Sequence, residues 1–298
     1  MSVLLSPAGW LRDPYHGFYC GFCRRFCRGF CRGFVLLIVL LAGARAPHAQ
    51  ASEQVVTVPL PDGRSIAYLL SQQDGAKPQW VLVMIPGSFG NLQLTQQADG
   101  SVQTREKNDF VIRTRTRVVD ARFAAAIVDA PSDQPGGYSD AFRASPRNAQ
   151  DVAQIAADLR VRFPGAKLVL IGISRGTIST AYLGRELPDT WDAVVHLSTL
   201  SSPARGQATP LIGFNYGSIT ARQLFVHHVD DSCYLCSFDA AKRIADSGGH
   251  ALIAVHGGSA YGPPCEAHAH HGYNGQDDRV IPAIKAWIAG EAWPKEID

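Results

Sequence analysis

The sequence carries little net charge: 28 basic residues stand against 26 acidic ones, for a formal net charge of +2. A protein that binds nucleic acid through a broad basic surface needs a clear excess of lysine and arginine, so this class is excluded. Charged residues are also few, at 18%, whereas apolar residues make up 46%. Disordered chains show the opposite balance, and this chain therefore has enough apolar residues to build a core.

A hydrophobic run of membrane-spanning length is also missing from the first part of the chain. The apolar run Phe34–Ala42 is well short of the ~20 residues that a spanning helix needs. Arginine-rich sequence precedes it, and Ala49-Gln50-Ala51 follows with the small residues of a cleavage site. This order is typical of a secretory signal, so we interpret residues 1–51 as a signal peptide with an extended basic n-region, cleaved after Ala51. An uncleaved membrane anchor and a true start downstream of Met1 are the alternatives.

Cysteine is scarce after the signal segment: residues 52–298 contain only Cys233, Cys236 and Cys265. Export places these three in an oxidising compartment, and the sequence accordingly predicts a periplasmic or secreted protein. Several histidines cluster late in the chain, but no carboxylate or thiolate set accompanies them at ligand spacing. We therefore expect no metal and no other cofactor. Linkers and internal repeats are lacking too, so residues 52–298 are predicted to form one domain.

Apolar runs alternate with amphipathic ones along the rest of the chain. Eight runs are predicted to be strands: Val55–Pro59, Ser65–Leu70, Trp80–Ile85, Phe123–Val128, Lys167–Ile171, Trp191–Leu197, Gln223–Val229 and Ala251–Val255. Helical spacing of apolar residues predicts helices over Asn148–Phe163, Thr177–Leu187, Phe238–Ala245 and Asp278–Ile288. Strands that alternate with helices indicate an α/β protein with a mainly parallel sheet covered on both faces.

One short segment has the pattern of a catalytic nucleophile. Gly172-Ile173-Ser174-Arg175-Gly176 lies between a buried strand and a helix, which is the context of the G-x-S-x-G nucleophile elbow. The sharp turn exposes the serine hydroxyl, and the two glycines leave room where side chains would clash with the neighbouring strand or helix. We predict Ser174 as the nucleophile; an ordinary strand–helix turn with a capping serine is the alternative.

A nucleophilic serine needs a base, and the base needs a carboxylate that orients it. Asp231 lies two residues after Val229, near the end of a predicted strand, so its carboxylate can reach the sheet edge. Asp230 is the alternative for the acid. His271 lies in the loop before the last helix, beside a glycine that permits an irregular backbone, and His270 is the alternative. We predict Asp231 and His271 as the acid and the base.

Two backbone amides are expected to bind the oxyanion that forms during acyl transfer. The first is the amide of Arg175, which follows the nucleophile. The second belongs to the loop Pro86-Gly87-Ser88-Phe89-Gly90 after the strand Trp80–Ile85. Ser88 is the predicted donor in this loop, and Phe89 is the alternative. The Arg175 side chain either meets an acidic substrate group or anchors a neighbouring loop.

These motifs and their order, Ser174, Asp231, His271, resemble the α/β-hydrolase superfamily over about residues 55–290. Further stretches, such as Val128-Asp-Ala-Pro-Ser132 and Phe142-Arg143, are similar to compact bacterial hydrolases that resemble serine esterases. The resemblance implies an eight-stranded, mostly parallel sheet with helices on both faces and acyl-serine chemistry. The sequence departs from many relatives at Pro86, where they have His-Gly. It also leaves little room for a lid, so we expect no large cap domain and no lipase-like interfacial activation.

The three late cysteines lie near the predicted site residues. A Cys233–Cys265 bridge would tie the loop of Asp231 to the loop of His271. A Cys236–Cys265 bridge, a local Cys233–Cys236 bridge and no bridge remain alternatives, and Cys-Tyr-Leu-Cys also fits a redox motif. We predict one disulfide and one free thiol.

Together these features predict an exported serine hydrolase, most simply a carboxylesterase-like enzyme of class EC 3.1.1. Its expected partner is a small-molecule ester; nucleic acid is not expected, and a membrane only if the N-terminal segment stays uncleaved. A peptidase or amidase on the same three residues is the first alternative, because fold does not fix substrate. A non-catalytic ligand-binding protein of this fold is the second.

Overall fold

The computed structural model describes residues 51–202 and 211–298. The predicted signal segment therefore lies outside the described residues, apart from Ala51. The strands are β1 Ala51–Pro59, β2 Ser65–Gln73, β3 Trp80–Ile85, β4 Thr95–Gln96, β5 Val102–Gln103, β6 Phe123–Val128, β7 Lys167–Ile173, β8 Ala193–Leu197, β9 Arg222–His228, β10 Ala251–Val255 and β11 Glu296–Ile297. The α-helices are α1 Phe110–Arg113, α2 Arg115–Val118, α3 Asp140–Arg143, α4 Pro146–Arg162, α5 Gly176–Glu186, α6 Phe238–Gly248 and α7 Asp277–Ala289.

One large sheet runs through the domain in the order β1-β2-β6-β3-β7-β8-β9-β10-β11. The β1–β2 and β2–β6 pairings are antiparallel, whereas the pairings from β6 to β11 are parallel. The β1–β2 hairpin turns at Pro61–Gly63, where Asp62 adopts a left-handed φ of 69°. The parallel strands all end at the same edge of the sheet, so the loops that follow β3, β7, β9 and β10 lie along that edge.

Both faces of the sheet are buried, because the central strands are apolar at every position. In β3, Val81, Val83 and Ile85 pack into one core, while Leu82 and Met84 pack into the core on the opposite face. The first core also contains apolar residues of α4 and α5, and the second contains those of α1, α2 and α7. Burial on both faces explains why these strands are continuous apolar runs rather than alternating ones.

The predicted architecture is confirmed, with one difference in strand number. The sheet has nine strands, whereas the family resemblance implied eight, because residues 296–297 add the short parallel strand β11 beside β10. The polar stretch 91–121, which resisted assignment from the sequence, contains the separate β4–β5 pair and the one-turn helices α1 and α2. No large cap domain is present among the described residues, and none of their helices is long and apolar enough to span a membrane.

Candidate active site

Ser174 lies in a strained turn between β7 and α5. Its φ of 52° falls in the left-handed region, which is uncommon for a residue with a side chain. The Ser174 amide donates a hydrogen bond to the carbonyl of Leu197 at the end of β8, and its carbonyl accepts one from the amide of Thr177 in the following helix. These bonds hold the serine at the carboxyl edge of the sheet, in the geometry expected of a nucleophile elbow.

The glycines on either side of Ser174 are required by close packing. A Cβ on Gly172 would lie 2.6 Å from the carbonyl oxygen of Gly176, and a Cβ on Gly176 would lie 2.6 Å from the carbonyl oxygen of Ile85. Both distances are well inside van der Waals contact. The first glycine thus lets the helix approach β7, and the second lets it approach the end of β3.

His271 and Asp231 form a hydrogen-bonded pair beside this turn. His271 Nδ1 lies 2.9 Å from Asp231 Oδ2, while the amide of Cys233 donates to Asp231 Oδ1 over 2.9 Å. The other imidazole nitrogen, His271 Nε2, is buried and has no hydrogen-bond partner. His271 and Ser174 line the same cavity, so an imidazole with an unengaged nitrogen and the serine belong to one site.

A second histidine also contacts Asp231, from strand β9. His227 is fully buried, and its Nε2 lies 3.2 Å from Asp231 Oδ2, off the axis of a good hydrogen bond. Burial by itself would raise the pKa of Asp231, but the two imidazoles, His227 and His271, outweigh it and lower the pKa to about 2. Burial lowers the pKa of His227. Asp231 is therefore a buried carboxylate that stays ionised at neutral pH.

The loop after β3 faces the nucleophile turn. A Cβ on Gly87 would lie 3.3 Å from Ser174 Cβ, so the backbone of this loop passes close to the serine. The Gly87 amide donates to Asp109 Oδ2 over 3.0 Å, and Ser88 adopts a left-handed φ of 43°. The amides of Ser88 and Arg175, the two predicted oxyanion donors, donate no backbone hydrogen bond to any of the described residues.

The Arg175 side chain anchors a neighbouring loop. Its Nε and Nη2 donate to the two oxygens of Asp140, each over 2.8 Å. This bidentate pair uses the planar guanidinium on one carboxylate and fixes α3 against the start of α5. Of the two roles considered for this side chain, the structure supports loop anchoring.

The predicted disulfide is confirmed as Cys233–Cys265, and Cys236 is the free, buried cysteine. The bridge joins the loop after β9, which carries Asp231, to the loop after β10, which leads to His271. Burial raises the pKa of the Cys236 thiol, and the Ser174 side chain offsets only a part of this shift. Cys236 is thus a neutral thiol at neutral pH, which is unsuited to redox exchange.

The site opens into a cavity of about 450 Å³. It is lined by Gly87, Ser88, Glu106, Lys107, Asn108, Asp109, Phe110, Ile173, Ser174, Arg175, Leu235, Cys265, Glu266, Ala267, His271 and Gly272. Every predicted site residue lines this cavity except Asp231 and Cys233, which lie behind His271. A second cleft, of about 620 Å³, adjoins it across Arg175 and is lined by Phe89, Tyr138 and residues 133–141.

The alternative residues lie elsewhere or are already engaged. Asp230 contacts the nearby histidines through its backbone: its amide donates to His228 Nδ1 over 3.0 Å, and its carbonyl lies 3.3 Å from His270 Nδ1. His270 stacks on His228 rather than lining the cavity. His196 is a core residue, as expected, with Thr180 and Gln223 as its partners.

Among the described residues, two groups each bring three possible metal ligands together. In neither group are all three ligand atoms free to bind a metal ion. In the first, Cys233, Cys236 and His271, the sulfur of Cys233 is in the disulfide. In the second, His228, Asp230 and His270, both nitrogens of His228 already have hydrogen-bond partners.

Sequence reasoning missed three residues that shape the site. Asp109 holds the Gly87 amide and caps α1 through the amide of Val111. Glu106 lines the cavity, and burial together with the nearby Asp109 raises its pKa to about 7. Arg143 was noted only as part of a family resemblance, yet it is fully buried behind the loop after β3. Asp109 and Glu106 belong to the irregular segment 91–121, which has no periodicity to reveal their position.

Comparison with known proteins identifies the fold. No protein-family model and no curated protein sequence matches the chain. Among solved structures, Est1E from Butyrivibrio proteoclasticus superposes with a TM-score of 0.55 at 12% identity, over 79% of this chain and 98% of that one. XC6422 from Xanthomonas campestris, an α/β serine hydrolase without a lid, gives a TM-score of 0.51 at 12% identity, over 80% and 94%.

A third structure is that of a membrane phospholipase A described as a bacterial virulence factor. It superposes with a TM-score of 0.52 at 16% identity, over 88% of this chain and 98% of that one. Together with the strand order and the serine turn, these similarities show that the described residues 51–202 and 211–298 have the α/β-hydrolase fold without a large cap. At such low identity they establish the fold and leave the activity to be argued from the site.

Proposed function

We propose that this α/β-hydrolase-fold protein is an exported serine hydrolase that cleaves carboxylic esters, in the manner of EC 3.1.1 enzymes, through Ser174, His271 and Asp231. One observation carries the proposal: a buried, ionised Asp231 holds His271 by Nδ1 and leaves Nε2 without a partner in the cavity that Ser174 lines. An imidazole held in this way is fixed in the tautomer that can accept a proton at Nε2.

The first half-reaction forms an acyl-enzyme. His271 Nε2 takes the proton of the Ser174 hydroxyl as the serine oxygen bonds to the ester carbonyl carbon, and the π electrons move onto the carbonyl oxygen. The amides of Ser88 and Arg175 bind that oxyanion. When the carbonyl reforms, the carbon–oxygen bond to the alcohol breaks, and the leaving alkoxide takes the proton from His271. Asp231 stabilises the imidazolium throughout and keeps its own charge.

Water completes the reaction by the same route. His271 removes a proton from a water molecule while the water oxygen attacks the acyl carbon. Collapse of the second tetrahedral intermediate breaks the bond to Ser174, which recovers its proton from His271, and the carboxylic acid leaves. The protein needs no cofactor for these steps, because its own serine, imidazole and amides supply every group that reacts or binds charge.

The proposal is tested by hydrolysis of a panel of p-nitrophenyl esters of increasing acyl length, beside the matching p-nitroanilides. We expect ester turnover by the wild-type protein, stoichiometric labelling of Ser174 by a serine-directed phosphonate, and loss of both in Ser174→Ala. Turnover of the anilides at a comparable rate would favour an amidase or peptidase. Binding of ligand with neither turnover nor labelling would favour a non-catalytic protein.

A matched pair of variants tests the acid. Asp231→Asn is expected to lower kcat by about 10⁴-fold, because the amide favours the wrong imidazole tautomer. Asp230→Asn is the control, since the hydrogen bonds of Asp230 to His228 and His270 are made by its backbone and its carboxylate does not pair with His271. Wild-type kcat in folded Asp231→Asn would contradict the assignment, and a large loss in Asp230→Asn alone would transfer the role to Asp230.

A further inference from the structure

The buried guanidinium of Arg143 is the feature that the proposed chemistry leaves unexplained. Arg143 is fully shielded from solvent and has the largest side chain of the fully buried residues described. Within the described part of the chain it forms no ion pair, since Asp140 is engaged with Arg175. Burial lowers its pKa to about 10, so it is still protonated at neutral pH. Asp140 and Glu106 act on this charge without contacting it directly. Because burying a charge that no carboxylate contacts is costly, the position of Arg143 needs a reason.

The hydrogen bonds of Arg143 supply that reason. Its Nη2 donates to the carbonyl oxygens of Gly87 and Ser88 over 3.1 and 3.3 Å. Its Nη1 donates to the hydroxyl of Ser179 over 3.3 Å. Gly87 and Ser88 belong to the loop after β3, whereas Ser179 lies in α5, the helix that starts directly after the nucleophile turn. One side chain therefore ties together the two backbone segments that carry the predicted oxyanion donors.

The direction of these bonds fixes where the loop amide points. In a trans peptide unit the C=O and N–H bonds point in opposite directions. Since the Gly87 carbonyl points at Arg143, the N–H of Ser88, in the same peptide unit, points away from it. Gly87 also lies close to the nucleophile turn, since a Cβ on Gly87 would lie 3.3 Å from Ser174 Cβ and 3.3 Å from Asp109 Oδ2. The Gly87 amide is separately held by Asp109.

The packing around Arg143 leaves little room for another arrangement. Its guanidinium lies 4.8 Å from the centre of the Tyr138 ring. A Cβ on Gly90 would lie 3.0 Å from Arg143 Nη2 and 2.9 Å from the Tyr138 ring, and Gly90 itself has a left-handed φ of 59°. The left-handed turn at Ser88 is thus held from behind by an arginine that is itself clamped in place.

We propose that Arg143 is the positioning residue of the oxyanion hole: it turns the Ser88 N–H toward the reacting carbonyl and polarises the Gly87–Ser88 peptide unit. This inference rests on the proposed function. Arg143 does not touch the substrate. Its fixed positive charge behind the peptide unit makes the Ser88 N–H a stronger donor to a developing negative charge, which is present in the transition state and absent from the bound ester.

The test compares Arg143→Met and Arg143→Lys with a matched control, Arg222→Met. Arg222 also donates to two backbone carbonyls, those of Trp287 and Ile288, but at the start of β9 and thus at the opposite end of that strand from the site. The readouts are kcat and KM for a p-nitrophenyl ester and the inhibition constant of a trifluoromethyl ketone. The ketone forms an oxyanion when serine adds to it, so its inhibition constant reports on binding of that negative charge. KM reports chiefly on binding of the uncharged ester.

We expect Arg143→Met to lower kcat about a hundredfold, which is the effect of losing one oxyanion donor. The inhibition constant of the ketone should rise by a similar factor, and KM should stay nearly unchanged. Arg143→Lys keeps the charge without the fork of donors and should fall between Arg143→Met and the wild type. Arg222→Met should lower the melting temperature and leave kcat and ketone affinity unchanged.

Several results would overturn the proposal. Folded Arg143→Met with wild-type kcat and ketone affinity would do so, as would a change confined to KM. If Arg143→Met does not fold, Arg143→Lys decides the matter, and wild-type ketone affinity there refutes the role. Failure of the proposed function is distinguishable, because then the wild-type protein itself would neither hydrolyse the ester nor bind the ketone, and both proposals would fall together.

Discussion

At the scale of single residues, the site depends on groups held in costly states: backbones in the left-handed region and a charge buried away from water. Ser174 and Ser88 both have left-handed backbones, and the carboxylate of Asp231 is ionised although its side chain is fully buried. Asp231 is stabilised by two imidazoles on one side and by the Cys233 amide on the other. Such local costs are tolerated where surrounding contacts over-determine the geometry.

The lowered pKa of Asp231 predicts how stability depends on pH. Its folded pKa of about 2 lies below the ordinary value of 3.8, so ionisation of Asp231 stabilises the folded state above about pH 4. That stabilisation is lost as the pH falls from about 4 towards 2, because the carboxylate is then protonated in both states. We expect the difference in unfolding free energy between the wild type and Asp231→Asn, measured by urea denaturation, to shrink across this interval.

Asp230→Asn serves as the reference for that experiment, because it removes a neighbouring carboxylate without touching either imidazole. A difference between wild type and Asp231→Asn that stays constant from pH 5 to pH 2 would show that the two imidazoles do not favour the ionised form of Asp231.

At the scale of elements, the loops that follow different strands must be held in fixed positions relative to one another. Asp231 follows β9 and His271 follows β10, and the Cys233–Cys265 disulfide joins these two loops across a sequence separation of 32 residues. A second link is made by Tyr273, whose hydroxyl donates to the carbonyl of Val226 in β9. The loop that carries His271 is therefore attached by a covalent bond to the loop after β9 and by a hydrogen bond to β9 itself.

Loss of the disulfide should lower both stability and activity. From the entropy of loop closure, a bridge of this span contributes about 3–4 kcal/mol, so Cys233→Ala/Cys265→Ala should have a clearly lower melting temperature and a reduced kcat. Dithiothreitol should lower the melting temperature of the wild type and leave that of the double variant unchanged. Thiol titration of the denatured, unreduced domain 52–298 should find one free thiol per molecule, that of Cys236. Three free thiols would refute the bridge.

At the scale of the whole molecule, we predict an N-terminal signal segment followed by one domain that folds without it. The domain begins with β1, in which Ala51 pairs with Gln73 and the buried Val56 and Val58 pack into the core. Cleavage after Ala51 would remove a single residue from this strand. A disulfide in the domain is consistent with the export that the N-terminal sequence predicts.

The proposed cleavage site makes a simple prediction about length. A chain that starts at Ser52 should fold with the activity and melting temperature of the exported protein, whose N-terminal residue we expect to be Ser52. A chain that starts at Leu60 is the control: it lacks β1, exposes the antiparallel edge of β2 and should be strongly destabilised. Recovery of exported protein that still contains residues 1–51 would support an anchor instead.

The local sequence was sufficient wherever one short segment determines the geometry. Strands β3, β6 and β10 were predicted with the bounds observed, because a short apolar run between turn residues leaves few alternatives. The elbow could be identified for the same reason, since both glycines adjoin residues only a few positions away or at the end of the neighbouring strand. The predictions of Ser174, Asp231 and His271 followed from chain order and strand ends, and the structure brings Asp231 and His271 into contact.

The tertiary structure alone decided how distant segments share the site. Nothing in the sequence around Arg143 or Asp109 indicates that the first supports the loop after β3 and that the second holds the Gly87 amide. The sequence places His227 at a strand end near Asp231, as a core or orienting residue, and only the fold shows that it contacts the carboxylate. Such contacts join residues that are far apart in the chain or buried in a strand, and their energies depend on burial and direction, which no local pattern encodes. The sequence by itself determined the α/β class, the order of the predicted site residues and the disulfide candidates; only the folded chain decided which disulfide forms and which buried charges lie around that site.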